Sequence, residues 1–419
     1  MDPIKYISGF SRLGKRVSDL SRIGALLDAA GRPQDSLKFI HIAGTNGKGS
    51  MAQMFSEVLT CSGYKVGLFT SPYIITFYDR IRLGGVNIPE SELSEILEEL
   101  APVIDAHPMK DSFSQFEVTQ AAAFVWFKRK NCDVVVLEAG LGGLLDSTNI
   151  IETPLVSVIG SIALDHTAIL GDTVEEIAFQ KAGIIKHGCP CVLSAGAEES
   201  AVNVFRRQAE SKGSALVIPD NRLCRVQKSD LTGCVFTYKD KQYRTAMAGT
   251  HQVNNALTVI EALGLIADVL PVSYEDTVTG IGRAKLFGRV EILSEAPLTV
   301  LDGSHNPDGM KALARALELT GKRRVRAVIG MHTDKNAHEA IARLIPKVYE
   351  FYPVSGFSDR DYPTEELAEI ISSEGGKAVR TECTVTELIR QLGSEHPDDV
   401  LLICGSLYLV SYIHAELGK

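Results

Sequence analysis

The 419-residue sequence has no apolar run long enough to cross a membrane and no long run of basic residues. A membrane-spanning helix needs about 20 mostly apolar residues, and the N-terminal stretch MDPIKYISGFSRLGKR lacks the uninterrupted apolar segment of a signal peptide. The 43 lysines and arginines are outnumbered by 52 acidic residues, which gives a net charge of -9. Nucleic acid is not an expected partner, because its phosphates attract clustered cations. We expect a cytoplasmic protein that binds small molecules, with neither nucleic acid nor membrane as a partner.

The eight cysteines form no CxxC pair and have no histidine partner at zinc spacing. Most of them lie in or beside apolar runs, where cysteine behaves as a small buried hydrophobic residue. This usage is typical of a reducing compartment, where thiols stay free. It argues against both a disulfide scaffold and a zinc module.

Short runs rich in valine, isoleucine and leucine alternate with longer segments of helical period. This alternation predicts parallel strands joined by crossover helices. Three further runs between residues 222 and 247 predict a small antiparallel meander. The predicted parallel strands cover residues 39–43, 65–69, 133–139, 155–159, 298–302, 325–330 and 400–404.

A glycine-rich loop follows the first predicted strand, in FIHIAGTNGKGSMAQMF. It departs from the usual phosphate-loop pattern because Gly49 lies between Lys48 and Ser50. A strand, a tight turn and a helix start nevertheless bring backbone N–H groups and the helix dipole to one point, which favours an anion. The alternative is a glycine-rich turn with a solvated lysine. We predict a nucleotide site formed by Gly44, Thr45, Asn46, Gly47, Lys48, Gly49 and Ser50.

The chain is too long for one hydrophobic core, so at least two domains are expected. The pattern predicts an α/β fold in which a P-loop-containing, doubly wound N-terminal domain carries a small antiparallel β insertion. A smaller Rossmann-like α/β domain is expected to follow at the C-terminus. The predicted domain ranges are residues 1–284 and 288–419.

Polar residues follow several predicted strands of the N-terminal domain. Ser71 comes after one strand, Glu138 ends another, and Asp165 and His166 follow a third. The carboxyl ends of parallel strands form the edge where ligands bind in such folds, and Mg²⁺ prefers hard oxygen ligands there. The alternatives are a carboxylate that emerges into solvent and a structural histidine.

Lys181 lies on an apolar stripe of a predicted helix. With Val174, Ile177, Ala178 and Ile185 it falls at offsets 0, 3, 4, 7 and 11. A buried amine is costly unless it is paired or chemically changed. The alternative is a lysine whose stem packs while its ammonium group reaches water.

The C-terminal half repeats the arrangement of polar residues after a strand. Asp302 and His305 follow the strand in TVLDGSHNPDG, and Arg289 lies in FGRVE at the domain junction. Arg289 is either a phosphate clamp or a surface arginine. Basic residues, carboxylates and no covalent nucleophile suit phosphoryl transfer between two bound substrates.

These motifs together resemble those of folylpolyglutamate synthase and bifunctional dihydrofolate synthase, members of the Mur ligase superfamily. The resemblance runs along essentially the whole chain and keeps the family's order. It is carried by IHIAGTNGKGS, TSPYIITFYDRIRLGG, LEAGLGGLLDSTN, LDHTAILGDTVEEIAFQKAGIIK, GTHQVNNA, FGRVE, LDGSHNP and CGSLYLV.

The resemblance implies ATP-dependent ligation of L-glutamate to a folate or to dihydropteroate through an acyl phosphate. It implies a central ATP-binding domain and a C-terminal glutamate ligase domain. The implied cofactors are ATP, Mg²⁺ at two sites and a monovalent cation, and the implied form is a monomer.

The resemblance also implies roles for single residues. Lys48 and Ser50 would hold phosphates, and Lys181 matches a lysine that the family carbamylates. Such a change replaces a cation by an anion and would resolve the burial of this amine. Catalytic roles are implied for Lys181, His166 and Glu138, Mg²⁺ ligation for Ser71, Glu138 and His166, and nucleotide contacts for Asn255, Arg289, Asp302 and His305.

Three positions depart from the family pattern. Leu144 replaces an arginine, Tyr73 replaces a histidine, and Phe287 stands where proline is commoner. Leu144 puts in doubt any charge contact made there, and Tyr73 affects how the pterin side is held. None of the three removes a predicted phosphate or metal group.

Three other functions compete with folate ligation. A Mur-type ligase of cell-wall precursors is disfavoured by Gly49 in the loop and by the LDGSHNP form. An ATP-binding regulator without ligase activity predicts the loss of groups such as Glu138, His166 and Lys181, all of which are present. A phosphate-loop kinase is disfavoured, because a single-domain kinase would not need Asp302 and His305 of the second domain.

Overall fold

The computed structural model describes residues 1–11, 18–321 and 323–417, which form two compact units. Neither unit is continuous in sequence. Among the helices of the described residues, none is long and apolar enough to span a membrane. All eight cysteines are free thiols, and four of them are buried. The first unit comprises Met1–Ile162, Leu170–Arg222 and Asn254–Ala284, and the second comprises Ala163–Ile169, Leu223–Val253 and Lys285–Lys419.

The first unit is built on an eight-stranded sheet. Its strands are β1 (Phe39–Ala43), β2 (Val66–Phe69), β3 (Ile81–Leu83), β4 (Val86–Asn87), β5 (Val134–Glu138), β6 (Val156–Ile159), β7 (Cys191–Leu193) and β8 (Leu216–Val217). The strand order across the sheet is β4-β3-β2-β5-β1-β6-β7-β8. The last six strands in this order run parallel, and the β3–β4 hairpin forms an antiparallel edge. The four strands predicted for this half of the chain are confirmed to within a residue or two at their ends.

Helices alternate with these strands along the chain, and most of α6 belongs to the second unit. The helices before residue 284 are α1 (Pro3–Ser8), α2 (Ser21–Ala29), α3 (Lys48–Cys61), α4 (Glu90–Asp105), α5 (Gln115–Arg129), α6 (Thr167–Leu170), α7 (Val174–Ala182), α8 (Glu199–Ser211), α9 (Thr250–Leu265) and α10 (Tyr274–Arg283). A capping box between Ser114 and Glu117 starts α5. Side chains from α4 and α5 form one buried core with Val135 and Leu137 of β5. Alternate residues of β5 point to opposite faces of the sheet, so its other side chains face the side on which α3 packs.

The second unit contains a small meander and a five-stranded sheet. The meander strands are β9 (Cys224–Asp230), β10 (Gly233–Tyr238) and β11 (Lys241–Thr245), all antiparallel. The larger sheet has the order β12-β13-β16-β14-β15, with only β12 antiparallel. Its strands are β12 (Glu291–Glu295), β13 (Leu298–Asp302), β14 (Val325–Ile329), β15 (Glu350–Pro353) and β16 (Val400–Cys404). Its helices are α11 (Pro307–Leu317), α12 (Ala337–Leu344), α13 (Thr364–Ser373), α14 (Val385–Glu395) and α15 (Leu407–Leu417).

The fold class predicted from the sequence is confirmed, including the antiparallel meander. The sequence predicts this meander as an insertion in the N-terminal domain, whereas in the structure it belongs to the second compact unit. The physical reason is packing, since Leu231 and Ala248 join the hydrophobic core of that unit. The ranges 1–284 and 288–419 remain a prediction.

Candidate functional site

The glycine-rich loop connects β1 to α3 in the way the sequence predicts. Gly47 is the N-cap of α3 with φ 87°, and Lys48 is the first helical residue. The Thr45 N–H donates to the Ser161 carbonyl at 2.7 Å, which ties the loop to the residues after β6. The Lys48 ammonium donates to the carbonyls of Gly44 at 3.0 Å and Thr45 at 3.2 Å. The lysine therefore folds back over its own loop, at the positive end of the helix, where an anion is favoured.

Close backbone approaches explain several glycines at this loop. A Cβ on Gly160 would lie 2.4 Å from the Asn46 carbonyl oxygen, and one on Gly44 would lie 2.9 Å from Gly160. A Cβ on Gly47 would lie 2.5 Å from the Asn255 Oδ1 atom. The structure therefore brings Asn255 directly against the predicted loop. Gly160 was missed by the sequence analysis, and its position after the strand in LVSVIG was the available signal.

Glu138 and Ser71 also lie together in the first unit. Glu138 ends β5 and is 4% exposed, and its Oε2 atom accepts the Ser71 backbone N–H at 3.2 Å. Arg82 is a neighbour that the sequence did not predict. Burial lowers the pKa of this arginine, while Asp79, Glu138 and Glu57 oppose that shift.

The chemistry of these donors fits Mg²⁺. In the described part of the chain, no group of three or more histidine, cysteine and acidic side chains could hold a metal ion. Mg²⁺ usually keeps several waters and is bound by one or two carboxylates with substrate phosphates. One buried carboxylate beside a serine, Glu138 with Ser71, suits that mode.

Lys181 is buried, as the apolar stripe predicts. It is 3% exposed, and Ile177, Ala178 and Ala182 of α7 are buried with it. Val174 is only half-buried, and α7 ends before Ile185, so the stripe is shorter than predicted. A buried lysine side chain needs a compensating partner or a chemical change.

The GLGGLLDSTN segment packs on the C-terminal end of α7. The Leu144 N–H donates to the Gln180 carbonyl at 2.7 Å, and a Cβ on Gly183 would lie 2.4 Å from the Leu144 Cα. The Asn149 side-chain amide donates to the carbonyls of Leu144 at 3.0 Å and Gly183 at 3.1 Å. This segment therefore holds the backbone on both sides of Lys181. The role of Asn149 was missed, because its hydrogen bonds link separate segments.

Asp165 lies at the centre of a cluster of polar residues in the second unit. It accepts hydrogen bonds from the Lys335 ammonium at 2.9 Å and from the Asn306 amide at 3.0 Å. Its carboxylate is 4.0 Å from His305 Nε2, and Lys335 Nζ is 3.3 Å from His166 Nε2. The structure thus brings together His166 and His305, both predicted from sequence. Lys335 was missed, although its place in MHTDKN after β14 was a usable signal.

These neighbours shift the pKa values of the cluster. Burial opposes ionisation of Asp165, but the Lys335 ammonium and the two histidines outweigh it and lower the pKa of this carboxyl. Burial, reinforced by Lys335, lowers the pKa of His305 to about 4. The His305 Nδ1 atom is 2.9 Å from the Gly303 carbonyl, so Nδ1–H donates there. Neutral His305 therefore presents Nε2 as an acceptor.

Asp302 and Arg289 lie near one another at the start of the larger sheet of the second unit. The two Asp302 oxygens accept the backbone N–H groups of Val290 and Ser304, each at 2.8 Å. Both residues also affect His251. Burial lowers the pKa of His251, the Asp302 carboxylate raises it, and the Arg289 guanidinium lowers it. Asp302 therefore fixes the backbone on the C-terminal side of Arg289.

Comparison with known proteins gives consistent similarities. Residues 42–263 match the Mur ligase middle domain, and residues 288–407 match the Mur ligase, glutamate ligase domain. The chain is 33% identical over 441 residues to dihydrofolate synthase/folylpolyglutamate synthase of Bacillus subtilis, covering 99% of this chain and 98% of that protein. It is 34% identical over 430 residues to folylpolyglutamate synthase of Lacticaseibacillus casei, with the same coverage. The structure of E. coli FolC in complex with DHPP and ADP matches with a TM-score of 0.86 at 28% identity, over 100% of this chain and 98% of that one.

Proposed function

Because the chain belongs to the folylpolyglutamate synthase and dihydrofolate synthase family of Mur ligases, we propose that it ligates L-glutamate to folates at the expense of ATP. Dihydropteroate is proposed as a second acceptor. The observation that carries this function is the nucleotide loop, in which Lys48 folds over Gly44 and Thr45 while Asn255 abuts Gly47. The structure of the relative E. coli FolC in complex with ADP supports an adenine nucleotide as the ligand of this protein.

The proposed reaction has two steps. A carboxylate oxygen of the folate or pteroate attacks the γ-phosphorus of ATP, which gives an acyl phosphate and releases ADP. The glutamate amine then attacks the acyl carbon, loses a proton and expels inorganic phosphate, leaving an amide. Lys48 and the N–H groups of the loop stabilise the phosphate charge during the first step. Asn255, Arg289, Asp302 and His305 are proposed as further nucleotide contacts.

We assign the Mg²⁺ ligands to Ser71, Glu138 and His166. Mg²⁺ neutralises charge on the phosphates when it is bound. The 3.2 Å hydrogen bond from the Ser71 N–H holds the Glu138 carboxylate in one orientation. The burial of Glu138 strengthens its attraction for a cation, because little water competes for it.

Lys181 is proposed to be carbamylated. The ammonium would lose a proton, and the free amine would add CO₂ and release a second proton, which gives a carbamate anion able to support a second Mg²⁺. The support for this assignment is the 3% exposure of a lysine on an apolar helix face. With this change, Lys181, His166 and Glu138 form the proposed catalytic group.

The remaining assignments follow from the family. We propose a cytoplasmic monomer, with residues 1–284 as the ATP-binding domain and residues 288–419 as the glutamate ligase domain. A monovalent cation is proposed as a further cofactor.

The test is a ligation assay with Mg²⁺, ATP and L-glutamate. Dihydropteroate and tetrahydrofolate are offered in separate reactions, with ADP release measured and products weighed by mass spectrometry. A gain of one glutamate in both reactions is expected. A gain in one alone identifies a single acceptor, and a gain in neither overturns the proposed function.

A further inference from the structure

Arg289 lies in an unusual turn of the second unit. Its neighbours Gly288 and Val290 both have left-handed backbones, with φ values of 64° and 51°. A β-branched residue such as Val290 adopts this conformation only when surrounding contacts impose it. The turn that presents Arg289 is therefore held in place by its environment.

Three hydrogen bonds hold this turn. The Gly288 N–H donates to Glu291 Oε2 at 2.8 Å, and the Val290 N–H donates to Asp302 Oδ2 at 2.8 Å. The Gly288 carbonyl accepts the Gly303 N–H, also at 2.8 Å. Two carboxylates thus fix the backbone on either side of Arg289, and only one of them, Asp302, has a proposed role in the reaction.

The C-terminal helix α15 supports Glu291. His414 of this helix is 1% exposed, and its Nε2 atom is 3.1 Å from Glu291 Oε2. The ring of His414 also meets the Phe287 ring edge to face at 4.9 Å. Val410 lies one helical turn before His414 and packs against Gly288. A Cβ on Gly288 would lie 2.7 Å from the Val410 Cγ1 atom.

The hydrogen-bonding pattern identifies which ring nitrogen of His414 faces Glu291. Within the described residues, its Nδ1 atom is buried and has no hydrogen-bond partner. A proton on Nδ1 would be a buried donor without an acceptor, which is unfavourable. The N–H at Nε2 instead donates to Glu291. The Glu291 carboxylate then accepts from His414 and from the Gly288 backbone together.

We propose that His414 is a positioning residue for Arg289 and acts through Glu291 and the Gly288 turn. The inference rests on the proposed function, in which Arg289 contacts the phosphates of ATP. His414 fixes the Glu291 carboxylate, the carboxylate fixes the Gly288 N–H, and the turn then presents the Arg289 guanidinium in one orientation. Pre-orienting a binding group in this way strengthens binding, because less freedom is lost when the ligand arrives.

The test is a double-mutant cycle read by titration of a non-hydrolysable ATP analogue in the presence of Mg²⁺. His414→Leu should weaken binding roughly tenfold, the size expected for one lost hydrogen bond to a charged group. His414→Gln should recover most of the affinity, because its amide can still donate to Glu291. Ile413→Val is the matched control, since Ile413 is the buried neighbour of His414 on the same helix, and it should bind as the wild type does.

The cycle compares His414→Leu with and without Arg289→Ala. If His414 acts through Arg289, its substitution has no further effect once the guanidinium is absent. In ligation assays the KM for ATP should rise while the KM for glutamate stays unchanged. The circular dichroism spectrum of His414→Leu should match that of Ile413→Val, as expected if both variants fold.

Three results would overturn the inference: unchanged affinity in His414→Leu, an equal loss with and without Arg289, or unchanged affinity in Arg289→Ala. Failure of the proposed function looks different. It would appear as wild-type protein that binds the nucleotide analogue but yields no glutamylated product. The binding cycle would still decide the role of His414 in that case.

Discussion

Replacement of Gly47 by alanine tests the geometry of the nucleotide loop most directly. Gly47 has φ 87°, and a left-handed alanine costs about 1–2 kcal/mol. Its new Cβ would lie 2.5 Å from Asn255 Oδ1, so the buried Asn255 side chain must move. Disturbing a buried amide adds about 1–3 kcal/mol. We expect a total of about 2–5 kcal/mol, which weakens nucleotide binding about thirtyfold or more if the bound loop keeps this conformation.

Gly63 provides a matched control at the other end of the same helix. It has φ 86°, and a Cβ placed there meets nothing within 4 Å. Gly63→Ala therefore carries the backbone strain without the contact to Asn255. It should lower the melting temperature slightly and leave nucleotide affinity unchanged.

The assay is calorimetric titration with a non-hydrolysable ATP analogue, with melting temperatures recorded for both variants. Gly47→Ala should lose affinity, and Gly63→Ala should not. Wild-type affinity in Gly47→Ala would refute the argument, because neither the strain nor the contact would then matter for binding. Equal losses in both variants would show that helix stability, not loop geometry, controls the affinity.

Three further predictions concern buried polar groups. Lys181→Ala should reduce ligation turnover about a hundredfold or more, as expected when a charge-stabilising group is removed. The circular dichroism spectrum should stay unchanged. Wild-type turnover in this variant would contradict the carbamate role. Glu138→Gln should raise the Mg²⁺ concentration needed for half-maximal activity roughly tenfold or more. The control variant Glu57→Gln should not raise it. Identical Mg²⁺ titrations of Glu138→Gln and wild type would show that Glu138 is not a metal ligand. Burial, with a smaller effect of Lys186, lowers the pKa of His41 from 6.5 to about 3. Below pH 6.5 the unfolded chain therefore binds a proton at His41 that the folded chain does not bind. The free energy of unfolding falls as the pH falls, and at pH 5 it is about 2 kcal/mol lower than at neutral pH because of this group. His41→Gln should lessen the drop in melting temperature between pH 7 and pH 5, and an unchanged drop would show that other groups cause it.

Local patterns were sufficient for the strands and for the loop. Val134 to Glu138 form a strand because a run of β-branched and apolar residues is stable only when both faces of the strand are covered. The start of α3 at Lys48 follows from glycines that allow the turn. The burial of Lys181 followed from the spacing of its apolar neighbours, although the stripe proved shorter than predicted.

Local patterns could not predict which polar groups meet. Gly160 lies against Asn46, and Leu144 lies against Gly183, because separate segments approach too closely for a side chain. Each of these glycines looks ordinary in the sequence. The requirement for glycine arises from a backbone elsewhere in the chain, so only the folded structure identifies it.

The sequence by itself determined the alternation of strands and helices, the loop that begins α3 and, through the order of its motifs, the family. These properties depend on residues near one another along the chain. The tertiary structure alone decided that Asp165 pairs with Lys335, 170 residues away, and that Glu291 pairs with His414, 123 residues away. Such pairs depend on the order of strands in each sheet and on which faces pack together, and no local pattern encodes either one. The partners of each charged group in this protein are therefore a property of its fold.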